Sequence, residues 1–250
     1  MSKVKAFKEI HHLFFQDVKI PLEIYHEYRK SARVSFSKTK AIVRIPIMLA
    51  NSTKEQHLEW AKDWISKKLQ KDKSLIHSFT PKEYITGTQI LVRGTTFTLD
   101  VQESHERESA TGRRVGLILF LKLPAHLSPT VRQKTCSALI HRIMSKTYAA
   151  HVKKRVDEIN DLHFQKEINE IRLRNNSTNW GSCSTNKNIS LSSRLLLAPD
   201  FVLNYIIIHE LAHLVHHNHS DRYWNLVAKV MPDYMVAEKW LKKEGGTVNW

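Results

Sequence analysis

Cysteine is scarce in this sequence, which has 250 residues but only Cys136 and Cys183. A disulfide-stabilised scaffold needs more cysteines than this. Neither cysteine has a second cysteine at CxxC spacing, which excludes a zinc site built on such a pair. We expect both thiols to stay reduced in a cytosolic compartment.

Long apolar runs are also absent, since no stretch of about 18 or more apolar residues occurs in the chain. This excludes a membrane-spanning helix of ordinary length. The basic residues near the N-terminus are not followed by a continuous apolar segment, so we expect no secretory signal peptide. The sequence therefore predicts a cytoplasmic protein that makes no contact with a membrane.

Acidic residues are too few to balance the basic ones. The chain has 39 Lys and Arg against 24 Asp and Glu, which gives a formal net charge of +15. Such an excess favours contact with a polyanion, and nucleic acid is the first candidate. A basic surface without any ligand is the alternative, because the cationic residues are spread along the chain.

The remaining composition is that of a globular protein with a core, since 42% of the residues are hydrophobic. Short β-branched and aromatic runs dominate the first half, and helical periodicity dominates the second, which predicts an α+β fold. We expect a β-rich N-terminal subdomain with one helix over residues 1–125 and a helical catalytic subdomain over residues 126–250. The predicted elements are strands within 18–48, a helix over 53–71, strands over 89–92 and 96–101, a charged loop over 102–114, a strand over 115–123, a helix over 128–158 and a strand over 168–173.

The motif that carries chemistry is His209-Glu210-Leu211-Ala212-His213. It lies in an apolar run that begins at Pro199 and Asp200, residues suited to a helix start. Positions four apart share one face of a helix, so His209 and His213 would present two imidazoles to one metal ion. Three ionisable groups in an apolar helix are costly without partners, which favours a metal site over chance occurrence.

Glu210 is the predicted general base. Zinc lowers the pKa of a bound water from about 15.7 toward about 7, and the adjacent carboxylate can take the proton without being a ligand. The sequence thus predicts a zinc-dependent hydrolase, most simply a peptidase acting on a protein or peptide. Glu210 argues against the alternative of a metal-binding domain without turnover.

A third protein ligand is needed beside a water molecule. His216 and His217 lie too far along the helix, since His216 is about 10 Å from His209 along the axis. We expect the chain to turn at Asn218 through the left-handed conformation, which returns His219 to the metal. A new helix over 221–230 would follow. Glu238 is the alternative third ligand, because another zincin group takes a glutamate from a later helix.

The sequence around this motif resembles the YgjP-like metallopeptidase family. The matching segments are His209–His213, Asn218–Ser220 with Trp224, Pro232–Tyr234, Trp180–Ser184 and Ile189–Leu191, with weaker likeness back to about residue 18. The resemblance implies a compact zincin fold and a relation to SprT-like proteases, some of which cleave DNA-bound proteins. The charged segment 102–114 departs from the family pattern.

The segment Asn179-Trp180-Gly181-Ser182-Cys183 is typical of a turn that leads into a strand. An edge strand beside the metal helix could bind an extended peptide through its backbone, which makes Trp180, Gly181 and Ser182 candidate substrate-binding residues. A structural turn with a buried Trp and a small buried Cys183 is the alternative. Tyr223 is a further candidate for substrate binding, and Tyr223 or Asn179 could stabilise the oxyanion. No activating partner marks Cys183 as a nucleophile.

Overall fold

A computed structural model describes residues 5–37, 40–72, 74–79, 82–176 and 178–250. The chain divides into two compact units, residues 1–82 and 83–250. The boundary expected from the sequence was at residue 125 instead. The difference arises because strands between residues 89 and 124 bury Phe97, Leu99, Leu119 and Leu121 in one core with the C-terminal helices.

The first unit is a four-stranded sheet with two helices. The strand order is β1-β2-β4-β3, with β2 and β4 parallel and the other pairs antiparallel. Alternate residues of β2 and β4 meet Ala61, Ile65 and Leu69 of α1 in a core of their own. The elements are β1 (Phe7–Phe15), β2 (Val18–Glu27), β3 (Arg33–Phe36), β4 (Ala41–Pro46), α1 (Asn51–Lys71) and α2 (Ser74–Phe79).

The second unit begins with another four-stranded sheet, ordered β5-β6-β8-β7, in which β6 and β8 are parallel. Its strands are β5 (Gln89–Val92), β6 (Thr95–Ser104), β7 (Thr111–Val115) and β8 (Ile118–Pro124). The prediction of a loop over 102–114 is wrong at both ends. Strand β7 was missed because it forms a sheet edge with mostly exposed, polar residues, which hides the alternation that marks a half-buried strand.

The rest of the second unit surrounds one central helix. A three-stranded sheet, ordered β10-β11-β9, lies in contact with α4. Among the described residues, no helix is both long and apolar enough to cross a membrane. The elements are α3 (Pro129–His163), β9 (Glu170–Arg174), β10 (Gly181–Cys183), β11 (Asn188–Ser192), a short 3-10 helix (Ser193–Leu197), α4 (Asp200–His213), α5 (Asp221–Val230) and α6 (Tyr234–Glu244).

Most of helix α4 is buried, because its sequence is largely apolar around the whole helix. Arg93, in the turn between β5 and β6, fixes its start by forming an ion pair with Asp200 and donating to Ala198 O (2.9 Å). The predicted α+β class is confirmed, and the motif lies on a mostly buried helix.

Candidate active site

Three imidazoles meet at the end of α4. His209 and His213 lie one turn apart on the helix, and His219 returns from the segment before α5. One ring nitrogen from each of the three lies within 4.8 Å of the others. The distance from His209 Nε2 to His219 Nε2 is 3.2 Å.

The return of His219 differs from its predicted route. Helix α4 ends at His213, and residues 214–218 form the connection. Asn218 does not have a positive φ, so the expected left-handed turn there is wrong. The helix ends early enough for an ordinary loop to bring His219 back, and no left-handed residue is required.

Two of the imidazoles, those of His209 and His213, are shifted toward the neutral form that metals bind. Burial, followed by the neighbouring His213 and His219, lowers the pKa of His209 to about 4. Burial also lowers the pKa of His213. His213 Nδ1 lies 3.2 Å from His216 O. When Nδ1 donates a hydrogen bond to this carbonyl, the lone pair of Nε2 is free to bind a metal ion. His216 thus contributes a main-chain atom that orients His213, while the side chain of His217 is exposed.

Aromatic residues of α5 and α6 support the three rings. The ring of Trp224 stacks on His219 with centroids 5.6 Å apart, and Tyr234 stacks on Trp224 at 5.5 Å. Tyr223 is fully buried and donates its hydroxyl to His209 O (3.0 Å). The structure therefore places Tyr223 behind the histidines and away from the surface that its predicted substrate-binding role requires.

Glu210 lies where α4 packs against strand β10. Its side chain is buried, and burial raises its pKa from 4.5 to about 8. The strand passes directly against the carboxyl group. A Cβ atom on Gly181 would lie 2.8 Å from Glu210 Cδ, so a larger residue there would require the Glu210 carboxylate to move.

A zinc ion fits this set of residues. Tetrahedral zinc takes imidazole nitrogens at about 2.0–2.1 Å, which puts two such ligands about 3.4 Å apart. The His209–His219 separation of 3.2 Å is close to this value. A cation at the three imidazoles would also stabilise the ionised form of the buried Glu210 carboxyl.

Glu238, the alternative third ligand, lies outside the histidine cluster. Its Oε1 accepts a hydrogen bond from Tyr205 Oη at 3.0 Å, a contact that raises the pKa of Tyr205 beyond the effect of burial. Sequence reasoning missed Tyr205, although it lies four residues before His209 on the same helix face. That spacing was the available signal.

A cleft of 310 Å³ opens beside His209 and Glu210. Glu238 lies on its α6 wall, with Leu241 and Lys242, and β10 forms the wall opposite. The predicted residues Asn179, Trp180 and Gly181 all line this cleft, whereas the Ser182 side chain does not.

Trp180 is held in place by a residue that sequence reasoning did not identify. The guanidinium of Arg194 lies 4.0 Å from the centroid of the Trp180 ring. Arg194 is buried and also donates to Asn176 O and Val248 O. This cation–π contact fixes one wall of the cleft.

Cys183 follows on β10 with a half-buried side chain. Burial, and then the charge of Glu210, raise the pKa of its thiol to about 11. The thiol stays protonated at neutral pH, which agrees with the expectation that Cys183 is no nucleophile.

Replacing Gly181 by alanine tests the contact between β10 and the carboxyl group. We expect Gly181→Ala to lower kcat for peptide hydrolysis by about 100-fold, because the new methyl group displaces the Glu210 carboxylate. Bound zinc, measured by elemental analysis, should be unchanged. Gly246→Ala is the matched control, since nothing lies near a Cβ at that position. Equal kcat values for the two variants would contradict the assigned contact.

A solved structure described as the metallopeptidase zymogen of Methanocaldococcus jannaschii jannalysin is similar to the chain, with 24% identity and a TM-score of 0.33. The likeness covers 37% of this chain and 95% of the jannalysin chain. None of the curated proteins matches the sequence.

The comparison with family models covers most of the chain. The model described as YgjP-like, metallopeptidase domain, matches residues 30–244. This range includes the three histidines, Glu210, β10 and the cleft. The chain therefore belongs to the YgjP-like metallopeptidase family.

Proposed function

We propose that this protein is a zinc-dependent peptidase in which Glu210 is the general base. The observation that carries the proposal is the juxtaposition of three imidazoles with a buried carboxyl group at one end of an open cleft. Metallopeptidase family membership supports a protease that uses a metal ion. The finer assignments, which are zinc and the role of Glu210, rest on the chemistry of the donor set.

His209, His213 and His219 would hold the ion. When bound, zinc supplies a Lewis acid that polarises a carbonyl oxygen and lowers the pKa of water. Glu210 accepts the proton of the attacking water on its carboxylate and then delivers it to the nitrogen of the leaving amine. Strand β10 passes close to the carboxylate at Gly181, which limits the positions that the carboxylate can take during both transfers.

Strand β10 is suited to bind the substrate as an added strand. It pairs with β11 on one side and is an edge of its three-stranded sheet. Ser192 N donates to Trp180 O (2.8 Å) and Ser184 N donates to Asn188 O (3.0 Å), so these positions direct their backbone groups toward β11. By alternation, Gly181 and Cys183 direct theirs toward the free edge, where an extended peptide can form hydrogen bonds.

Asn179 is the better placed of the two residues predicted to stabilise the oxyanion. It lines the cleft with Glu210, whereas the hydroxyl of Tyr223 is engaged with His209 O. In this structure the Asn179 amide donates to Gly181 O at 3.0 Å. An incoming peptide strand would compete for that carbonyl, which would free the amide for the substrate.

A cytoplasmic location is also part of the proposal. Both cysteines are free, and Cys136 is buried in the core, as expected where thiols are kept reduced.

Removing the metal tests the proposed activity. We expect a zinc chelator to lower the rate of casein hydrolysis by at least about 100-fold, because the Lewis acid is removed. Added zinc should restore the rate. Circular dichroism before and after chelation is the control for unfolding. Elemental analysis should confirm that the treated protein is free of metal. If this metal-free protein hydrolyses casein at the parent rate, the proposal of a zinc peptidase is contradicted.

A further inference from the structure

A large cavity lies away from the active site, between the edge strand β7 and helix α3. Its volume is 620 Å³. Four of the seven residues that line it are cationic, and none is acidic. The lining residues are Gly112, Arg113, Arg114, Arg142, Ile143, Lys146 and Thr147, which we call the basic groove.

The groove depends on a close approach of strand and helix. A Cβ atom on Gly112 would lie 3.0 Å from Ile143 Cδ1 and 3.1 Å from Leu121 Cδ2. Glycine therefore lets β7 pack tightly on α3, which brings Arg114 to the side of Arg142 and Lys146 and Arg113 to the border of the same groove. The cluster is a product of the fold and could not form on an isolated helix.

Within the described part of the chain, the four groove cations have no acidic partner, whereas several other basic residues of α3 do. Arg132 pairs with Glu103, Lys153 with Asp157 and Arg155 with Glu158. Among the described residues, no carboxylate forms an ion pair with any of the four groove cations. Arg113 instead lies over the ring of Phe120 at 5.5 Å, and Arg114 donates to Gly116 O at 3.0 Å. Like charges gathered without counter-charges repel each other, and a bound anion would relieve that repulsion.

The arrangement matches a chain of anions better than a single one. Arg142 and Lys146 are four residues apart on α3, which separates them by about 6 Å along the helix axis. By alternation along β7, Arg114 is on the same side as Gly112, which faces α3, whereas Arg113 is on the other side, over Phe120, so the two arginines extend the cationic surface around the sheet edge. Cations at several points along an open groove can each meet a different phosphate of one strand.

We propose that the basic groove binds the phosphodiester backbone of a nucleic acid. The net charge of +15 supports this choice, since it attracts a long polyanion from any direction. The groove cations meet phosphates, so binding is independent of base sequence and weakens with salt. This inference does not depend on the proposed peptidase reaction, because the groove residues are separate from the cleft.

Fluorescence anisotropy with a short labelled DNA strand of mixed sequence tests the groove. We expect the double variant Arg142→Glu, Lys146→Glu to weaken binding by at least about tenfold. The slope of log affinity against log salt should fall by about 2, because two cations no longer meet phosphates. Casein hydrolysis by the variant should equal that of the parent protein.

The control variant has the same change in net charge at positions outside the groove. Lys154→Glu, Lys239→Glu should bind the labelled strand within about twofold of the parent protein. Equally weakened binding by both double variants would overturn the groove as a site and leave only a general effect of charge. Failure of the parent protein to bind DNA would overturn the proposal outright. Competition by polyglutamate as effective as that by unlabelled DNA would also overturn it, because it would show recognition of charge without phosphate.

Discussion

Glu210→Gln is expected to lower kcat/KM for peptide hydrolysis by about 1,000-fold, within the range of a lost general base. Glutamine has nearly the shape of glutamate, so it fills the space beside Gly181 but cannot accept the proton of the attacking water. The three imidazoles are unchanged, and zinc content by elemental analysis should equal that of the parent protein. Casein hydrolysis and metal analysis on one preparation give both quantities.

The matched control is Glu167→Gln, the same chemical change at an exposed glutamate that pairs with Lys187. It should hydrolyse casein at the parent rate. If Glu210→Gln also hydrolyses casein at the parent rate, Glu210 is not the base. A variant that no longer binds zinc would instead show that Glu210 is needed to form the site.

His219→Ala should lower zinc affinity by at least about 100-fold, since even changes to residues that only support a ligand cost ten- to a hundredfold. The decrease follows from removing one of three nitrogens that lie within 4.8 Å of one another. The dissociation constant for zinc can be measured by letting the protein compete with a coloured chelator for the ion. His217→Ala is the control, because that side chain is exposed and lies outside the cluster.

The same measurement separates the two candidate ligand sets. Glu238→Gln should leave zinc affinity unchanged, because Glu238 accepts a hydrogen bond from Tyr205 and is not in the histidine cluster. If His219→Ala keeps its affinity while that of Glu238→Gln falls, the third ligand is the glutamate.

The helix that carries the motif could be predicted because its geometry is local. Four-residue spacing alone puts His209 and His213 on one face, whatever surrounds the helix. The N-terminal residues Pro199 and Asp200 also mark its start closely. The apolar length of α4 was sufficient to predict burial, and most of its residues are indeed buried.

The supports of the site could not be predicted, because they join residues far apart in the chain. Tyr205 and Glu238 are 33 positions apart, and the contact of Trp180 with Arg194 links a turn to a short 3-10 helix. Neither pair has a spacing that a sequence pattern reveals. The edge strand β7 was missed for another reason, which is that its exposed residues are mostly polar and resemble those of a loop.

Two of the hydrogen bonds around the histidines are accepted by main-chain oxygens. His213 is oriented by the carbonyl of His216, and the hydroxyl of Tyr223 meets the carbonyl of His209. Every residue type has a carbonyl, so position 216 can drift in evolution while His213 keeps its orientation. Relatives with an aliphatic or polar residue there should still assemble the same centre. A comparison of side chains alone among relatives would therefore miss the main-chain atoms that help to orient the metal ligands.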